Sequence, residues 1–72
     1  MKGNFIYKRL GKCIQRRRKR SGFSQEKLAL SSGVDRTFIG QIEVGRANPS
    51  FKTLNKIARV FKIKISTLLN GV

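Results

Sequence analysis

The stretch GVDRTFIGQIEVG, residues 33 to 45, sets side chains with recognition chemistry against an apolar stripe. At about 100° per residue, Val34, Phe38, Ile39 and Ile42 share one arc of a helix, and Arg36, Thr37, Gly40, Gln41 and Glu43 fill the other. Arg36 carries a two-pronged donor that matches O6 and N7 of guanine. Gln41 can both donate and accept, which suits adenine. Thr37 can offer its methyl to a thymine methyl or its hydroxyl to a phosphate. Gly40 costs about 1 kcal/mol relative to alanine inside a helix; either it lets the backbone approach a groove closely, or it is neutral at an exposed site. A face required only for solubility would more ordinarily carry Glu and Lys. This one is equipped to read base edges.

Catalysis has little to work with. The chain has three acidic residues, Glu26, Asp35 and Glu43, and no histidine, so candidates for general acid–base chemistry are few. Ser24, Ser50 and Ser66 stand where helix caps are needed. There is no glycine-rich phosphate loop and no acidic cluster for magnesium. The expectation is a protein that is not an enzyme, with no cofactor, metal or small-molecule ligand.

Charge is the strongest compositional fact. Seventeen Lys and Arg against three acids give a net charge of +14 over 72 residues, which points to a polyanion: nucleic acid first, an anionic membrane second. The apolar fraction of 39% still permits a small core. Cys13, without a second cysteine, cannot form an internal bridge and fits a reducing compartment. It reads as a small, partly buried helix residue. No apolar run approaches the roughly 18 residues of a membrane span, and MKGNFIYKRLGK lacks the apolar core of a secretory signal. A cytoplasmic location with no membrane partner is expected.

The elements that must position these groups are helical throughout. One all-α domain over residues 1–72 is expected, with five helices at about 6–20, 25–32, 36–44, 51–61 and 67–70. In the first, Ile6, Leu10, Cys13, Ile14 and the stem of Arg17 form the inward stripe, while Lys8, Arg9, Lys12, Arg16, Lys19 and Arg20 face out. Ser24, Asp35, Ser50 and Ser66 cap the following four. Gly22, Gly33 and Gly45 allow the intervening turns. Leu28 and Ala29 point inward from the second helix, and Phe51, Leu54, Ile57, Ala58 and Phe61 form the apolar face of the fourth. Lys62 ends that helix where glycine would be easier, so a looser or slightly strained end is expected there.

A helix, a short glycine turn and a second helix within about twenty residues form a helix-turn-helix. The ordered set Ser24-Gln25, Leu28-Ala29, Gly33-Val34, Ile39, Ile42-Glu43, Gly45, Asn48-Pro49-Ser50, Leu54, Ile57-Ala58 and Leu68-Leu69 closely resembles the family of phage repressor and Cro proteins, the XRE family. The resemblance covers about residues 6 to 70. Within the family, DRTFIGQIEVGRANPS looks like the controller proteins of restriction–modification operons.

The resemblance implies a lambda-repressor-like fold and a transcriptional regulator of double-stranded DNA. It places Arg36, Thr37, Gly40 and Gln41 at base-facing positions. Gln25, Arg46, Asn48 and Ser50 fall at positions that meet phosphate, and Arg18 and Glu43 match an ion pair tying the first helix to the third. Family members pair as twofold dimers that set two readers about 34 Å apart on a palindromic operator. Here the implied interface is Ile65, Leu69 and Val72, with Ile63 and Leu68 completing the monomer core. RNA polymerase is a further candidate partner. Three departures stand out. RRRKR at 16–20 is richer in arginine than the family norm, Lys62 replaces the usual glycine, and Phe38 stands where relatives carry a small or polar residue. Phe38 can fill the core edge, touch a sugar or thymine methyl, or support the loop. Two other readings remain open: a charge-driven nucleic-acid binder or packaging protein without sequence choice, and the antitoxin of a toxin–antitoxin pair.

Overall fold

Three side-chain oxygens start three of the helices. In the computed structural model, which describes the backbone of residues 2–72 and side chains from residue 5 onward, Ser24 Oγ accepts the Lys27 N–H at 3.0 Å and opens α2, Gln25–Ser32. Asp35 Oδ2 accepts the N–H groups of Thr37 and Phe38 at 3.0 and 3.3 Å and opens α3, Arg36–Glu43. Ser50 Oγ accepts the Thr53 N–H at 3.1 Å and opens α4, Phe51–Val60. Each cap satisfies donors the helix cannot, worth about 1 kcal/mol. The other two helices are α1, Lys2–Arg20, and α5, Ile65–Leu68. No strand occurs among the described residues.

Two of these bounds differ from those expected. α1 begins about a turn before Ile6, because helical hydrogen bonding continues past the packed stripe that periodicity detects. α5 begins at Ile65, with Lys64 as its cap residue and no side-chain cap bond. Ser66 therefore lies inside the helix instead of capping it. The chain enters α5 directly from the turn at Lys62, and the Lys64 carbonyl accepts from the N–H groups of Thr67 and Leu68.

Ile14, Leu28, Ile39, Ile42 and Ile57 are fully buried and come from four helices. Burying each such side chain is worth about 1.5–3 kcal/mol. Leu10, Ala29, Leu54, Ala58 and Leu68 complete the buried cluster. Phe23 and Phe61 close its edge with ring centroids 5.7 Å apart. α1 crosses α3 at Gly11, where a Cβ would stand 2.7 Å from the Glu43 carbonyl oxygen. Only a residue without a side chain permits that approach.

Three inward assignments fail. Ile6 is 52% exposed, because the buried hydrophobic residues of α1 begin only at Leu10. Phe51 is 70% exposed at the first position of α4, where no neighbouring helix covers it. The buried arginine of α1 is Arg18, with Arg17 only half-buried. Arg18 lies one helical turn beyond Ile14 on the same face.

Candidate nucleic-acid interface

Ile39 and Ile42 anchor α3 in the core, 0% and 1% exposed. Gly33, at φ 74°, gives α2 a left-handed end, and its N–H bonds the Ala29 carbonyl, so α3 can follow after only a short turn. That anchoring turns Arg36, Thr37 and Gln41 out together, all exposed. Gly40 is half-buried beneath Arg36. Phe38 is also half-buried and packs against the core, which fits the core-edge reading.

Glu43 is buried, although the helical wheel set it on the polar arc. Arg18 compensates it with two parallel bonds, Nε to Oε2 at 2.6 Å and Nη2 to Oε1 at 3.0 Å. Gln25 Nε2 adds a third at 2.9 Å, and Arg18 Nη1 also donates to the Phe23 carbonyl at 2.7 Å. This unit joins α1, α2 and α3 at one point. Burial pushes the Glu43 carboxyl upward, but the bonds from Arg18 and Gln25 and the charge of Arg18 outweigh it and hold the group below its ordinary range. The hydrogen bond to Glu43 in turn raises Arg18.

The remaining positions sort by what they have free. Gln25 is half-buried and commits one Nε2 proton to Glu43, leaving the second available. Arg46 and Asn48 are exposed in the loop after α3. Ser50 is exposed, but its hydroxyl caps α4 and donates to Thr53 Oγ1 at 3.1 Å. Its capacity for another contact is correspondingly reduced. Ile65 and Leu69 are half-buried against the core, and Val72 is 38% exposed.

Lys8 and Lys12 belong to the outward basic face of α1, whose charge density favours a place near phosphates, although the sequence assigns neither an individual contact. Lys8 borders Val44, Gly45 and Arg46, and Lys8 and Lys12 together border Gln15, Glu43 and Val44. They extend the positive surface from α1 to the end of α3. Their four-residue spacing was a signal, but nothing local says which helix lies beside them.

A family model described as helix-turn-helix matches residues 14–68. The chain is 38% identical over 61 residues to the ImmF control region 10 kDa protein of Bacillus phage phi105, covering 85% of this chain and 68% of that one. It is 36% identical over 62 residues to the HTH-type transcriptional regulator SinR of Bacillus licheniformis, covering 85% of this chain and 56% of the relative. The chain thus spans about two thirds of the phage protein and about half of the Bacillus regulator. Among solved structures, it resembles the restriction–modification controller protein C.AhdI from Aeromonas hydrophila, with a TM-score of 0.84 and 34% identity. That match covers 86% of this chain and 94% of the other.

Proposed function

The chain belongs to the helix-turn-helix family, and from that premise we propose that it is a sequence-specific regulator of transcription that binds double-stranded DNA as a homodimer on a palindromic operator. The carrying observation is the joint exposure of Arg36, Thr37 and Gln41 on a helix whose other face is fixed in the core. A major groove admits one such helix, and the N-terminal part of the helix meets the base edges. Lys8, Lys12 and Arg46 border the C-terminal end of α3 and the loop after it, and supply charge for phosphates in this reading. Gln25, through its remaining amide proton, and Asn48 take further phosphate contacts in this reading. The likeness to a phage control-region protein, a Bacillus regulator and a restriction–modification controller supports a regulatory role. The last of these supports control of a restriction–modification operon as its setting.

One recognition helix reads only a few base pairs, too few to select a site in a genome. Pairing through Ile65, Leu69 and Val72 sets two readers one helical turn of DNA apart. A bound dimer then represses by blocking RNA polymerase, or activates by touching it from upstream.

Selection of bound duplexes from random DNA tests this reading. The expected result is a palindrome whose half-sites lie about 10 base pairs apart centre to centre. A recovered pool without base preference would instead establish the charge-driven binder. Sedimentation with the selected site tests pairing; a complex containing one chain per site removes the dimer from the proposal.

A further inference from the structure

Arg16, Arg17 and Arg20 line a groove of about 240 Å³ between α1 and α5, together with Cys13, Thr67 and Asn70. Lys8 and Lys12 lie on the other flank of α1, beside the end of α3. Arg18 pairs with Glu43 of the recognition helix, while Lys8 and Lys12 lie toward that helix and Arg16, Arg17 and Arg20 toward α5. Arg9 shares the arginine flank, but it is engaged: Nη2 donates to the Gly71 carbonyl at 3.1 Å and its guanidinium lies over the Phe5 ring.

The groove lacks an internal counter-charge. Of the three acids in the chain, Glu43 holds Arg18, Asp35 caps α3 and Glu26 is exposed on α2. None of them lines the groove. Arg17 is half-buried, so part of its hydration is already lost. Guanidinium forks match phosphate oxygens two at a time, which the ammonium groups on the other flank cannot do. Across the groove, the polar residues Thr67 and Asn70 complete the lining.

We propose that this groove binds a compact polyphosphate anion, of the class of inorganic diphosphate or the phosphate tail of a nucleotide. The groove is closed by α5, and none of the residues assigned to base or phosphate contact lines it. The site therefore stands apart from DNA reading, and it runs against the sequence-based expectation of no small ligand. It also gives a use to the RRRKR run, of which the ion pair absorbs only Arg18. An anion there bridges α1 to α5, the short helix without a side-chain cap.

The test is titration of the full chain with inorganic diphosphate, and separately with a nucleoside triphosphate, at physiological salt, followed by backbone amide shifts in NMR. Saturable binding with shifts centred on residues 13–20 and 66–71 is expected. Arg16 and Arg20 are both exposed, so the Arg16→Ala/Arg20→Ala variant keeps the fold. It should weaken binding about tenfold, as loss of charge-assisted bonds does. Lys8→Ala/Lys12→Ala removes the same charge and should weaken it less than about twofold if position, and not net charge, governs. Equal weakening in both variants, shifts centred on α3, or displacement of diphosphate by a duplex would overturn the proposal. Diphosphate shifts that persist beside bound duplex support it.

Discussion

Arg36 folds back over Gly40, one turn further along α3, so that a Cβ at position 40 would stand 3.1 Å from Arg36 Nη1 and 4.0 Å from Gln25 Oε1. The glycine is thus a seat for the guanidinium of Arg36, the residue proposed to read a guanine. This adds a third account of Gly40 to close backbone approach and neutrality, and it has consequences of its own.

Gly40→Ala should stabilise the fold by about 1 kcal/mol, because alanine is the better helix former. The added methyl should also push the Arg36 guanidinium off its seat. A higher melting temperature with weaker discrimination at a single base position is the expected pair of results. An unchanged base preference would show that the seat does not set the reading.

Arg36→Ala and Arg46→Ala should separate reading from anchoring. The first should lose about 1–3 kcal/mol on the selected site and flatten preference at one position. The second should weaken all duplexes alike and reduce the salt slope by about one. Competition binding at several salt concentrations distinguishes them. Identical behaviour of the two variants on selected and random DNA would return the function to nonspecific charge.

Arg18→Met should cost about 3 kcal/mol, since Glu43 would stay buried with Gln25 as its remaining side-chain hydrogen-bond donor. The pH dependence has a definite sign. The Glu43 carboxyl is held below its ordinary value of 4.5 in the folded chain, so its contribution is complete above that value and lost as pH falls through the depressed folded one. Melting curves should show the wild type losing stability below about pH 4.5. Glu43→Gln should be less stable at neutral pH and flatter across the acid range. An equally steep acid loss in that variant would assign the effect to another group.

Lys62 occupies φ 57°, the left-handed region, at the end of α4. Lys62→Gly should therefore raise stability by about 1 kcal/mol, the scale of the steric cost a side chain bears there. Chemical denaturation measures it directly. A loss would mean that the extra freedom glycine gives the unfolded chain outweighs the relief.

The helix-turn-helix was legible in the sequence at the level of single residues. Ser24, Asp35 and Ser50 cap the helices they precede because a cap reaches only two or three residues along its own chain. Ile39 and Ile42 are buried as their spacing requires. Gly33 and Lys62 take the conformations their positions demanded. Ile6 and Phe51 defeated the same reasoning. Periodicity states which residues share a face, but not whether another element covers that face at that height.

What the sequence determined by itself was the local order: five helices, three of their caps, the glycine turn, and the outward arc holding Arg36, Thr37 and Gln41. Those follow from a 3.6-residue repeat and bonds between near neighbours. Tertiary structure alone decided that Gly11 lets α1 touch α3, that Gln25 joins the Arg18–Glu43 pair, and that Lys8 and Lys12 face α3 while Arg16, Arg17 and Arg20 face α5. Each of these joins residues far apart in the chain. Their proximity is set by how whole helices cross, which no local spacing encodes.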